Sequence, residues 1–164
     1  MFKKSFAPVI AFDPKVLILG SLPGDRSLKE NQYYAHPQNR FWPVITTILN
    51  NEAAINYSER IELLQTNSIC LWDVCNSANR PGSMDTDILE VVPNNIIYLL
   101  DQYPSISAIL FNGQKARQLF DRYQTCYKEL EYITLPSTSP ANARFHRTHL
   151  IQAWSILSKL ITSP

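Results

Sequence analysis

Apolar residues collect into four short runs, Val16 to Leu19, Ile69 to Val74, Ala108 to Phe111 and Tyr132 to Leu135, each ending near Gly, Asn, Ser or Pro. Runs of that length that are apolar at nearly every position read as strands buried on both faces, the habit of a parallel sheet. Between them, apolar positions recur at helical spacing over Arg40 to Leu49, Ser58 to Leu64, Ile88 to Leu100, Gln114 to Tyr123 and Thr148 to Ile161. Strand alternating with helix predicts the α/β class, as a three-layer α/β/α sandwich around a central four-stranded parallel sheet. A chain of 164 residues without repeat or linker is expected to form one domain over residues 1–164.

In such folds ligands bind where the strands end, so the chemistry is sought just after each run. Those segments are polar: Gly20-Ser21-Leu22-Pro23-Gly24, Asp73 through Ser83, Asn112-Gly113, and Pro136 through Asn142. In the first, two glycines and a proline let the backbone approach a ligand and offer its amides, although ordinary turn chemistry uses the same residues. It lacks the Gly-Lys-Ser/Thr of a nucleotide-binding P-loop. Its continuation, Gln32 through Trp42, crowds amides, aromatics and one basic residue around an expected helix start.

Charge narrows the partners. Fifteen basic against fourteen acidic residues leave a net charge of +1, so any nucleic-acid footprint has to be local. Arg144, His146, Arg147 and His149 form the one dense basic group, and a solvated helix face would have the same composition. The early apolar stretch from Phe6 to Phe12 is broken by Pro8, and no run approaches a membrane span, so a cytoplasmic location is expected. Cys70, Cys75 and Cys126 form no Cys-x-x-Cys pair and read as buried thiols, with no metal or cofactor called for.

The stretch from Gly20 to Trp42 resembles the uracil-DNA glycosylase superfamily, whose mismatch-specific members carry a Gly-x-x-Pro-Gly turn followed by an aromatic and Ala-His-Pro-x-Asn-Arg-Phe-Trp. The resemblance extends to Leu71 through Val74, Arg80 through Ser83, Leu110 through Gly113 and the Ser-Pro loop from Ser137 to Ala143. Its Gly-Ser-Leu-Pro-Gly turn, Phe-Asn-Gly strand end and Ser-Thr-Ser-Pro-Ala-Asn-Ala loop are most similar to the hypoxanthine-DNA glycosylase branch. The resemblance implies a monofunctional glycosylase that hydrolyses the bond between a deaminated base and its deoxyribose in DNA, works without cofactor or metal, and acts as a monomer. The rival within the superfamily prefers uracil. A rival of another class is a non-catalytic nucleotide- or partner-binding module.

The resemblance also suggests roles. Many relatives place a water-positioning Asp or Asn where this chain has Leu22, which cannot polarise water. Asn39 is the substitute the branch implies, and a helix cap is its alternative duty. Asp25, just past the turn, is a second candidate, with a solvated ion pair beside Arg26 as its alternative. Tyr34 falls where relatives stack the extruded base; the alternative is a core aromatic. Gly20, Ser21 and the Leu22 backbone would line the base, and Asp73 and Asn112 could read its edge or instead tie turns. Ser137, Ser139, Pro140, Ala141 and Asn142 match the loop that enters the minor groove, with Arg144 and Arg147 on phosphates. Ser137 stands where several relatives have a catalytic His.

Overall fold

The computed structural model describes residues 2–125 and 129–164, so Cys126 lies outside the described residues. Its centre is a four-stranded parallel sheet of β2 (Val16–Gly20), β3 (Ile69–Asp73), β6 (Ala108–Asn112) and β7 (Glu131–Leu135), in the order β3-β2-β6-β7. Side chains alternate across it. Leu17, Leu19, Cys70, Ile109 and Phe111 face one core with α4 (Ile96–Gln102) and α5 (Gln114–Tyr123). Val16, Ile18, Ile69, Leu71, Ala108 and Leu110 face another with α2 (Phe41–Ile48), α3 (Tyr57–Thr66), α6 (Arg147–Trp154) and α7 (Ile156–Thr162). Both faces are therefore covered, as the apolar runs require, in the expected α/β/α layering.

Several elements differ from the sequence expectation. The span Ile88 to Leu100 is not one helix: Leu89–Pro93 is strand β5, and α4 begins only at Ile96. Pro93 supplies no N–H to a helix and biases Val92 toward extended backbone, while Val91 and Val92 are β-branched. β5 joins β1 (Phe2–Lys4) and the largely polar β4 (Cys75–Asn79) in an antiparallel sheet of order β1-β4-β5 that the sequence pattern does not announce. The last helix is split into α6 and α7 at Ser155, whose hydroxyl donates to the Gln152 carbonyl at 2.6 Å. A short helix α1 (Asp25–Glu30) follows the first turn. Cys70 and Cys75 are buried free thiols.

Candidate active site

The parallel register brings the strand ends level, pairing Gly20 with Asp73 and Asn112 with Leu135. Above them opens a cavity of about 580 Å³, ample for a nucleobase. It is lined by Gly20, Ser21, Leu22, Tyr34, Asn39, Asp73, Asn112, Ser137, Ser139, Pro140, Ala141, Asn142 and Arg144. Of the residues singled out in the sequence as site residues, Arg147 stands apart: its guanidinium reaches the Thr47 hydroxyl of α2 at 3.3 Å. Asp25 pairs with Lys3 rather than Arg26, which pairs with Glu30. The lysine holds the Asp25 carboxyl below its usual range.

The floor is set by close approach. A Cβ on Gly20 would sit 2.7 Å from Asp73 Oδ1 and 2.8 Å from the Tyr34 hydroxyl, so only glycine leaves both groups in place. Leu22 is buried and belongs to the core beneath the cavity that it also borders. Arg80, fully buried, braces the turn by donating to the carbonyls of Leu22, Pro23 and Gly82. The Arg80 to Ser83 motif thus acts as a strut for the turn.

Two carboxylates meet at this floor. Asp73 is 3% exposed, and burial, reinforced by the nearby Asp85 charge, pushes its pKa up to about 7 against the opposing hydrogen bond from Ser5. Asp85 accepts from the Ser21 hydroxyl at 2.8 Å and is also raised, chiefly by burial. Sequence reasoning missed Asp85: the polar segment was read only to Ser83, two residues short of it.

Tyr34 adopts left-handed backbone, φ 55°, and lays its ring on Phe41 with centroids 4.1 Å apart and planes 28° from parallel. Its hydroxyl is buried and makes no hydrogen bond of good geometry among the described residues, although the Asn112 side chain lies close enough to favour the ionised phenol. Burial holds the phenol far above its ordinary pKa, so it stays protonated.

Asn39 Oδ1 accepts two hydrogen bonds, from the Phe41 backbone N–H at the start of α2 and from the Thr138 hydroxyl, both at 2.9 Å. Because a backbone N–H can only donate, this contact identifies the oxygen without ambiguity. The acceptor side is filled, and the amide has its Nδ2 hydrogens left to give. Asn112 is clamped on the same threonine, its Oδ1 taking the Thr138 N–H and its Nδ2 giving to Thr138 Oγ1, both at 3.0 Å. One Nδ2 hydrogen and one lone pair of Asn112 are left over. Thr138, fully buried, is a second residue the sequence did not single out; between Ser137 and Ser139, its hydroxyl carries no distinguishing signal.

The loop above the cavity is built in advance. Ser139 N–H gives to Ser137 Oγ, Ala141 N–H to Ser139 Oγ, and Asn142 Nδ2 to the Ser137 carbonyl. Arg40 donates to the carbonyls of Ser139 and Asn142, at 2.9 and 3.1 Å, and to that of Phe145. Pro140 and Ala141 are left exposed at the tip. Among the described residues no group of three or more His, Cys, Asp or Glu could hold a metal ion, and no helix is long and apolar enough to cross a membrane.

Comparison with known proteins finds the same architecture. The family model of the uracil DNA glycosylase superfamily matches residues 7–158. A hypoxanthine DNA glycosylase of Methanosarcina barkeri is 41% identical over 147 residues, covering 88% of this chain and 90% of the relative. One of Methanosarcina acetivorans is 37% identical over 150 residues, covering 90% and 92%. The solution NMR structure of a candidate uracil DNA glycosylase from Methanosarcina acetivorans superposes with a TM-score of 0.81 at 32% identity, covering 98% of this chain and 99% of that one.

Proposed function

The chain belongs to the uracil DNA glycosylase superfamily, and we propose that it is a monofunctional hypoxanthine DNA glycosylase in which the Asn39 amide acts as a hydrogen-bond donor to the departing base. The observation that carries this reading is the pairing of Asn39, whose oxygen is taken up by Phe41 and Thr138, leaving the Nδ2 hydrogens of this cavity-lining residue to donate.

The damaged nucleotide leaves the duplex and enters the cavity, and the Pro140–Ala141 tip fills the gap it leaves. Arg144 meets a phosphate. The base lies against the Tyr34 ring and the backbone of the Gly20 to Leu22 turn, with Asp73 and the spare donor and acceptor of Asn112 along its edge. As the bond from deoxyribose C1′ to the purine nitrogen breaks, its electron pair moves onto the base and C1′ approaches an oxocarbenium ion. The Nδ2 hydrogens of Asn39 stabilise the charge growing on the purine, where a fixed donor acts without reorganisation. Water bonds to C1′ and gives up a proton, which the purine takes. No lysine is among the described residues lining the cavity, so the strand is left intact at an abasic site.

The protein is proposed to act as a cytoplasmic monomer, the whole chain working as one domain. The test is incubation, with a chelator present, with duplexes bearing hypoxanthine, uracil or xanthine, followed by alkali to reveal abasic sites. Excision of hypoxanthine is expected. Excision of uracil alone would assign the other branch of the superfamily, and no excision at all would favour a binding module.

A further inference from the structure

Among the described residues, Thr138 is the member of the 137–142 loop whose side chain bonds the Asn39 side chain. Two backbone donors fix the direction of that bond. The Phe41 N–H identifies Oδ1 of Asn39, and the Thr138 N–H identifies Oδ1 of Asn112. Asn112 must then present Nδ2 to Thr138 Oγ1, so the threonine accepts there and has its single hydrogen free for Asn39 Oδ1. The chain Asn112 to Thr138 to Asn39 has one polarity and no alternative.

From this geometry we infer that Thr138 is a positioning residue for base excision: its hydroxyl fixes the Asn39 amide with Nδ2 toward the substrate and ties that setting to the seating of the 137–142 loop. This deepens the functional reading above and rests on it. A hydroxyl donated to an amide oxygen polarises the amide and strengthens its N–H groups as donors. The mechanical tie is equally direct. The Thr138 carbonyl accepts from the Arg40 N–H at 3.1 Å, and the Arg40 guanidinium holds the loop carbonyls of Ser139 and Asn142. Asn39 and Arg40 are adjacent, so a loop displaced from its seat also displaces the amide. Thr138 is fully buried and acts through Asn39.

The test is single-turnover excision of hypoxanthine from duplex DNA, with binding and thermal stability measured beside it. Thr138→Val keeps the shape and removes the hydroxyl; its rate should fall roughly tenfold to a hundredfold, the scale of a misaligned catalytic donor, with DNA affinity within about threefold of wild type. Thr138→Ser keeps the hydroxyl and should restore the rate. In an Asn39→Ala background, Thr138→Val should cost no further rate, since residues acting as a unit are not additive. Should the valine variant not fold, Thr138→Ala takes its place against Thr138→Ser. An unchanged rate without the hydroxyl, or an equal further loss in the Asn39→Ala background, would overturn the inference. Wild-type protein that fails to excise hypoxanthine would overturn the functional reading, and this inference with it.

Discussion

The Ser5 hydroxyl donates to Asp73 Oδ2 at 2.6 Å, while Oδ1 of the same carboxylate stands at the Gly20 backbone beneath the cavity. One oxygen is satisfied by the chain that follows β1, and the other faces the floor on which the base is proposed to rest. Burial nevertheless dominates, and the group titrates near neutrality.

That titration has a sign. With a pKa of about 7 folded against 3.8 as the ordinary value, the folded state binds more protons than the unfolded one between these limits. The stability Asp73 contributes is complete below the lower value and is lost as pH rises through the upper one, at up to about 1.4 kcal/mol per pH unit. Denaturant unfolding across that window should show stability falling with pH, and Asp73→Asn should flatten the fall, leaving the smaller part due to Asp85. An equally steep fall in the asparagine variant would assign it to other groups.

Tyr34 separates ring from hydroxyl. Tyr34→Phe keeps the stack on Phe41 and removes a buried hydroxyl that makes no hydrogen bond of good geometry, so stability should stay within about 1 kcal/mol of wild type and excision should persist. Tyr34→Ala removes the proposed stacking surface and should cost roughly 1 to 3 kcal/mol of base binding. Slowed excision in Tyr34→Phe with normal stability would show instead that the hydroxyl contacts the base.

Arg144 and Arg147 should differ. Arg144 borders the cavity, whereas Arg147 turns toward Thr47. Titrations over a range of salt should find Arg144→Ala weaker at every sequence, with the salt slope lowered by about one, and Arg147→Ala closer to wild type. Equal effects would place the phosphate track across both.

The three buried strands β2, β3 and β6 were legible because burial on both faces demands apolar residues at nearly every position, as in Val16 to Leu19, and the half-exposed edge strand β7 was legible from its Tyr132 to Leu135 run. The antiparallel sheet was not, since Cys75 to Asn79 is polar and Leu89 to Pro93 shares its apolar spacing with a helix until Pro93 is weighed. The candidate site followed from strand ends and motif. What sequence could not supply was direction: nothing in the order of residues says that Asn39 spends its oxygen on Phe41 and Thr138, that Arg80 turns inward to the turn, or that Asp85 folds back to Ser21. With both contacts to Oδ1 in place, Asn39 is left with its Nδ2 hydrogens to offer.

Asn39→Asp therefore tests the central claim most directly. The carboxylate can still accept from Phe41 and Thr138, preserving the contact at the start of α2 and the loop contact, but it has no N–H to give. Single-turnover excision of hypoxanthine by this variant, compared with wild type, should be slowed on the order of a hundredfold or more, while its melting temperature and DNA affinity stay close to wild type. A wild-type rate in Asn39→Asp would contradict the donor role and return Asn39 to water positioning or to capping alone.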